Sequence, residues 1–117
     1  MLIDTHAHLS KKDDLEKILQ EAKENGVEKI ILAGTTLKDS ESNLLLSKRY
    51  PEIYAGVGVY PHEETDKSLK KIFQTLETIV RKGSVIAIGE CGLDFKEIRR
   101  SAEEQKELFR MQIGLAI

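Results

Sequence analysis

The stretch Ile53 to Gly89, IYAGVGVYPHEETDKSLKKIFQTLETIVRKGSVIAIG, decides the fold. Ile53 to Val59 is rich in small and branched residues and reads as a strand that runs into the turn Tyr60, Pro61, His62. Leu69, Ile72, Phe73, Leu76, Ile79 and Val80 then hold the helical period until Gly83, and Val85 to Gly89 is a second strand. A helix between two strands brings the chain back in the same direction, so the strands lie parallel and the helix covers a sheet face.

The same unit recurs on both sides. Upstream, Leu2 to Ala7 is a strand, and Leu15, Ile18, Leu19 and Ala22 follow at helical spacing, with Ser10 as the expected opening cap and Gly26 as the stop. Val27 to Ala33 is the next strand, and Asp39 to Tyr50 a helix stopped by Pro51. Downstream, Ser101 and Glu104 form a capping-box pattern ahead of Leu108, Phe109, Met111, Ile113, Leu115 and Ala116. The fold class is therefore α/β, with four β-α units. Those units average about 29 residues over the 117, close to the roughly 31 of a complete eight-unit barrel. Residues 1–117 are expected to form the N-terminal half of a TIM (β/α)8 barrel, with the later strands absent. A self-sufficient open sheet of four strands is the competing architecture. An interrupted barrel leaves two sheet edges unpaired, so self-association through those edges is expected.

Composition narrows the function classes. Hydrophobic residues make up 40% and charged residues 32%, with two prolines and eight glycines, which excludes collagenous and disordered chains. No apolar run approaches the roughly 20 residues of a membrane helix, so no membrane partner is expected. The start MLIDTHAHLS lacks a basic flank and an apolar core, and a cytoplasmic location is the expectation. One cysteine, Cys91, allows no internal disulfide and reads as structural. A net charge of -2 means that bulk charge alone cannot hold a nucleic acid, so a local device such as bound metal is required.

The residues that can carry chemistry lie at strand ends. Asp4, His6 and His8 alternate along the first strand and project to one face, the two histidines about 6.6 Å apart along it. Two imidazoles at that spacing can reach one divalent ion and leave positions open, or can be ordinary strand-edge histidines satisfied by neighbours. Glu90, in register with Ile86 and Ile88, points to the barrel interior, where it serves as metal ligand or pairs with Lys96, Arg99 or Arg100. His62, in the loop after the third strand, reads by itself as an exposed loop histidine, with the capacity to donate to a phosphate oxygen or pass a proton. Lys96, Arg99 and Arg100 fall on the loop after Glu90, where they hold phosphates or form a solvated surface.

Taken in order, DTHAHL at Asp4 to Leu9, GVGVYPHE at Gly56 to Glu63 and IGECGLDF at Ile88 to Phe95 resemble the TatD-type deoxyribonuclease family of metal-dependent hydrolases. Glu104, Gln105, Phe109, Gln112, Leu115 and Ala116 look like that family's next helix, so the likeness spans the chain. It implies a TIM-barrel hydrolase that cleaves DNA phosphodiesters, trimming single-stranded or frayed 3′ ends. It further implies two divalent ions in the complete enzyme (Zn, Mn or Mg), with His6 and His8 on one, Glu90 bridging to the second, and His62 at the substrate phosphate. Tyr60 departs from the family's usual histidine, and the two further histidines and the aspartate that the family draws from later strands are not among these residues. Two other functions stay open: a catalytically silent metal-binding or assembly fragment, and a related barrel amidohydrolase that cuts an amide or ester.

Overall fold

The computed structural model describes all 117 residues. Its elements alternate as expected: β1 (Leu2–Ala7), α1 (Leu15–Glu24), β2 (Val27–Leu32), α2 (Leu37–Arg49), β3 (Ile53–Val57), α3 (Leu69–Arg81), β4 (Val85–Ile88) and α4 (Ala102–Ala116). The four strands form one sheet in the order β1-β2-β3-β4, and every pairing is parallel.

All four helices pack on one face of the sheet. One apolar cluster joins Ala55, Val57 and Val59, in and just after β3, to Leu37 and Leu44 of α2, Ile72, Leu76 and Ile79 of α3, and Leu108 of α4. A second joins Ile30 and Leu32 of β2 to Leu15 of α1 and Leu46 of α2, with Ile53 closing it. The opposite, concave face is open. It holds a hollow lined by Thr5, His6, Ile31, Gly56, Ala87 and Glu90.

This curvature distinguishes a half barrel from a flat sheet. Three strand spacings separate β1 from β4, about 14 Å, and side chains on a flat sheet would stand parallel across that gap. Here the His6 and Glu90 side chains meet at 2.8 Å across the concave face. The expectation of half a (β/α)8 barrel holds over the open four-stranded sheet.

Local boundaries differ from the sequence expectations for identifiable reasons. Helix α1 opens at Asp14, whose carboxylate accepts from the Lys17 amide, and not at Ser10. The Ser10 amide already donates to the Asp13 carboxylate at 2.7 Å, which folds residues 10–13 into a turn of their own. Helix α2 begins two residues before Asp39, because Thr36 and Asp39 close a reciprocal capping box. Strand β3 stops at Val57, two residues short of Val59, because side chains replace the ladder there. The Gly58 amide donates to Ser40 Oγ at 3.0 Å, while Val59 exchanges two hydrogen bonds, 2.8 and 3.0 Å, with the side-chain amide of Gln112. Gln105, two turns earlier on the same face of α4, accepts from the Asp94 amide and donates to the Arg100 carbonyl, both at 2.9 Å. No helix is long and apolar enough to cross a membrane.

Candidate metal centre

The rim beyond the strand C-termini is built on close backbone contact. The Gly34 amide, just after β2, donates to the Gly89 carbonyl at 2.7 Å, and the Glu90 amide donates back to the Gly34 carbonyl. These bonds bridge β2 and β4 directly over the end of β3. That crossing requires Gly58, since a Cβ there would stand 2.8 Å from Gly89 C and 2.9 Å from Glu90 O. Two hydrogen bonds on one side and a steric floor beneath thus fix the backbone that carries Glu90.

Glu90 meets both histidines of the first strand. Glu90 Oε1 lies 2.8 Å from His6 Nε2 and 3.0 Å from His8 Nε2, and the two Nε2 atoms are 3.1 Å apart. Asp4 is occupied otherwise, accepting from the His6 amide at 3.0 Å. Neither Lys96, Arg99 nor Arg100 pairs with Glu90; its ionic contacts are the two histidines. Three donor atoms of two imidazoles and a carboxylate therefore converge on one point. Tetrahedral ligands at about 2.1 Å from a zinc-like ion would stand about 3.4 Å from each other, so a few tenths of an ångström of opening admits the ion. The donor set fits a borderline divalent metal: nitrogen and oxygen, partly exposed, with room on the solvent side for further ligands.

A second cluster lies behind the rim. His62 is 4% exposed, so the reading of it as an exposed loop histidine does not hold. Its Nε2 lies 2.9 Å from the Asp94 carbonyl, which makes Nε2 the donor and leaves Nδ1 with a lone pair and no partner. Tyr60 donates to Asp94 Oδ2 at 2.8 Å. That bond raises the Tyr60 hydroxyl above its ordinary range, and together with the Lys96 amide it holds the Asp94 carboxyl below its own. Arg100 is 5% exposed, with its guanidinium bound to the carbonyls of Pro61 at 3.1 Å and Glu63 at 2.7 Å. The expectation that Arg100 offers charge over the mouth is thereby corrected: those two carbonyls lack other partners, and the arginine straps the loop that carries His62. Lys96 and Arg99 are exposed on the loop as expected, Arg99 near Glu97 at 3.8 Å. Cys91 packs half-buried with its thiol raised by burial, consistent with a structural role.

The structure thus brings His6, His8 and Glu90 together and sets His62 and Arg100 apart from them. Sequence reading missed Tyr60, Asp94, Ser40 and Gly58. Gly58 left a signal there, alternating with Gly56 through the end of the third strand.

A carboxylate and a His-x-His pair at the C-terminal rim of parallel β/α units make a candidate metal-binding corner of a barrel fold. The model of TatD-related DNases matches residues 3–117, and the chain belongs to that family. It is 35% identical to an uncharacterized metal-dependent hydrolase, YabD, of Bacillus subtilis, over 99% of this chain and 46% of that protein. It is 33% identical to the 3′-5′ ssDNA/RNA exonuclease TatD of Pectobacterium carotovorum, over 88% of this chain and 40% of that one. The crystal structure of the TatD homologue YJJV from Escherichia coli superposes with a TM-score of 0.83 at 32% identity, covering 98% of this chain and 46% of the other. The chain spans about half the length of the relatives it matches.

Proposed function

We propose that these residues supply the first half of a metal-dependent nuclease that hydrolyses phosphodiesters of single-stranded or frayed DNA from the 3′ end. The convergence of His6 Nε2, His8 Nε2 and Glu90 Oε1 within 3.1 Å carries the reading. These three hold one divalent ion, Zn, Mn or Mg. Glu90 would also help to hold a second ion, whose remaining ligands would come from outside these 117 residues. A bound ion of this kind acidifies water and neutralises charge on a phosphoryl group.

The chain's own residues orient that chemistry. His6 and His8 present Nε2 toward the centre, Glu90 supplies the anionic ligand, and Lys96 and Arg99 draw in phosphates from the exposed loop. His62 faces the substrate phosphate only when the Asp94 segment moves, since its Nε2 proton is engaged there. We place the protein in the cytoplasm, in keeping with a single unpaired cysteine. The unpaired edges of β1 and β4 support self-association, and light scattering above the 13.2 kDa chain mass would register it.

The test is titration of the chain with Zn or Mn by calorimetry, beside release of nucleotides from 3′-labelled single-stranded DNA. One ion per chain, lost in His6→Ala and in Glu90→Ala, is expected, with binding weakening as pH falls through the histidine range. Equal affinity for Ca and Zn would refute the ligand assignment. Little cleavage is expected from this chain alone, and metal binding without cleavage on completion of the barrel would favour the silent metal-binding fragment.

A further inference from the structure

We propose that Phe95 is a stacking platform for a base of the single strand, on the loop that leaves Glu90. The inference deepens the nuclease reading and rests on it for the class of ligand. Of the three phenylalanines, Phe73 and Phe109 are half-buried within helices, whereas Phe95 is 55% exposed. With about half of its surface in water, the ring keeps a face free to stack.

The ring is exposed but its base is fixed. Its neighbour Asp94 is held at four atoms: the amide by Gln105, the carbonyl by His62, Oδ2 by Tyr60 and Oδ1 by the Lys96 amide. A ring on so constrained a backbone gives up little freedom on binding, which favours affinity. Lys96 follows it directly and Arg99 lies four residues on, both exposed. An aromatic face flanked by cations is the combination that holds single strands without regard to sequence: bases have π faces to stack, and phosphates meet the charges. A duplex end would have to fray to present such a face. Exposed Leu93 and Ile98 on the same loop give the platform an apolar surround. The same composition also fits a membrane surface. The ring's place five residues after Glu90, on the loop that leaves the C-terminal end of β4, favours the nucleic acid.

The experiment uses the 117-residue chain with a chelator present, so that no cleavage occurs and binding is read apart from metal chemistry. An oligodeoxynucleotide carrying 2-aminopurine reports stacking through quenching, and fluorescence anisotropy reports affinity. Phe95→Leu, which preserves apolar exposure, is expected to bind about tenfold more weakly and to abolish the quenching, while Phe95→Tyr retains both. Lys96→Ala should reduce the slope of log affinity against log salt by about 0.7 and leave the quenching in place. Unchanged binding and quenching in Phe95→Leu would overturn the proposal, as would no binding by the parent chain. Binding of the parent to anionic phosphatidylserine vesicles, with none to the oligonucleotide, would overturn it in favour of a membrane loop. Loss of metal binding in Glu90→Ala with stacking intact would separate this inference from the hydrolytic one.

Discussion

Replacing Gly58 with alanine should weaken metal binding without altering any ligand. The added Cβ would lie 2.8 Å from Gly89 C and 2.9 Å from both Gly89 Cα and Glu90 O, all of them backbone atoms that cannot rotate away. Ordinary contacts of this kind begin at 3.4 Å, so the Gly89–Glu90 segment has to retreat by about 0.5 Å. Ligand positions in a metal site tolerate only about 0.2 Å, and a displaced carboxylate is expected to lower affinity about 10- to 100-fold. Overpacking of this kind also costs about 1–3 kcal/mol of stability. Zinc or manganese titration by calorimetry, run well below the melting transition, separates the two effects. Gly114→Ala is the control, because a Cβ there meets nothing within 4 Å. A folded Gly58→Ala chain that binds metal as tightly as the parent would refute the claim that the crossing over β3 positions Glu90.

Arg100→Met should lower stability by about 1.5–3 kcal/mol, through the loss of charged hydrogen bonds to the Pro61 and Glu63 carbonyls, with metal affinity unchanged; chemical denaturation checks the first and calorimetry the second. The Tyr60–Asp94 bond gives a pH signature with two limits. Because the Tyr60 hydroxyl holds the Asp94 carboxyl below its ordinary range, that stabilisation is complete above about pH 4 and is lost as pH falls through the lowered value. Because Tyr60 is raised by the same bond, its share is complete below about pH 10 and is lost as pH rises through the raised value. Tyr60→Phe should therefore differ from the parent most between those limits, and an offset constant from acid to alkaline pH in denaturation curves would contradict it. Ser101→Ala should cost about 0.5–2 kcal/mol by removing the acceptor for the Glu104 amide, and should fray the first turn of α4 as seen by amide exchange.

Much of this architecture was legible because it rests on periodicity. The face of α3 from Leu69 to Val80, bounded by Gly83, gave its span directly, and α3 ends at Arg81. The His-x-His spacing brings both imidazoles to the end of the first strand, where their Nε2 atoms lie 3.1 Å apart. What escaped were contacts that depend on three-dimensional closure. Nothing in the local sequence says that Gln112 would complete Val59's hydrogen bonds 53 residues away, so β3 was read two residues too long. His62 sits in a polar, proline-containing turn, and turns are usually wet; its burial follows from Arg100 and Asp94 closing over it from a distant loop. Arg100 belongs to the same lesson. A run of charges looks solvated until one of its members finds unpaired carbonyls.

The two buried glutamines of α4 have a consequence for motion. Gln105 and Gln112 are seven residues apart, two turns of one helix face, and each grips backbone outside the helix. A slip of one residue would turn that face by about 100° and break both grips together, so α4 has a single permitted phase. The amides of Val59 and Asp94, which lie in no strand or helix, are shielded only while the helix is docked. Their protons should exchange with deuterium at one common rate, set by the undocking of α4, rather than at the fast and separate rates of loop amides. The segment that leads out of Glu90 and the helix on the outer surface would then open as one unit, so that a perturbation applied to the back of α4 is felt at the rim.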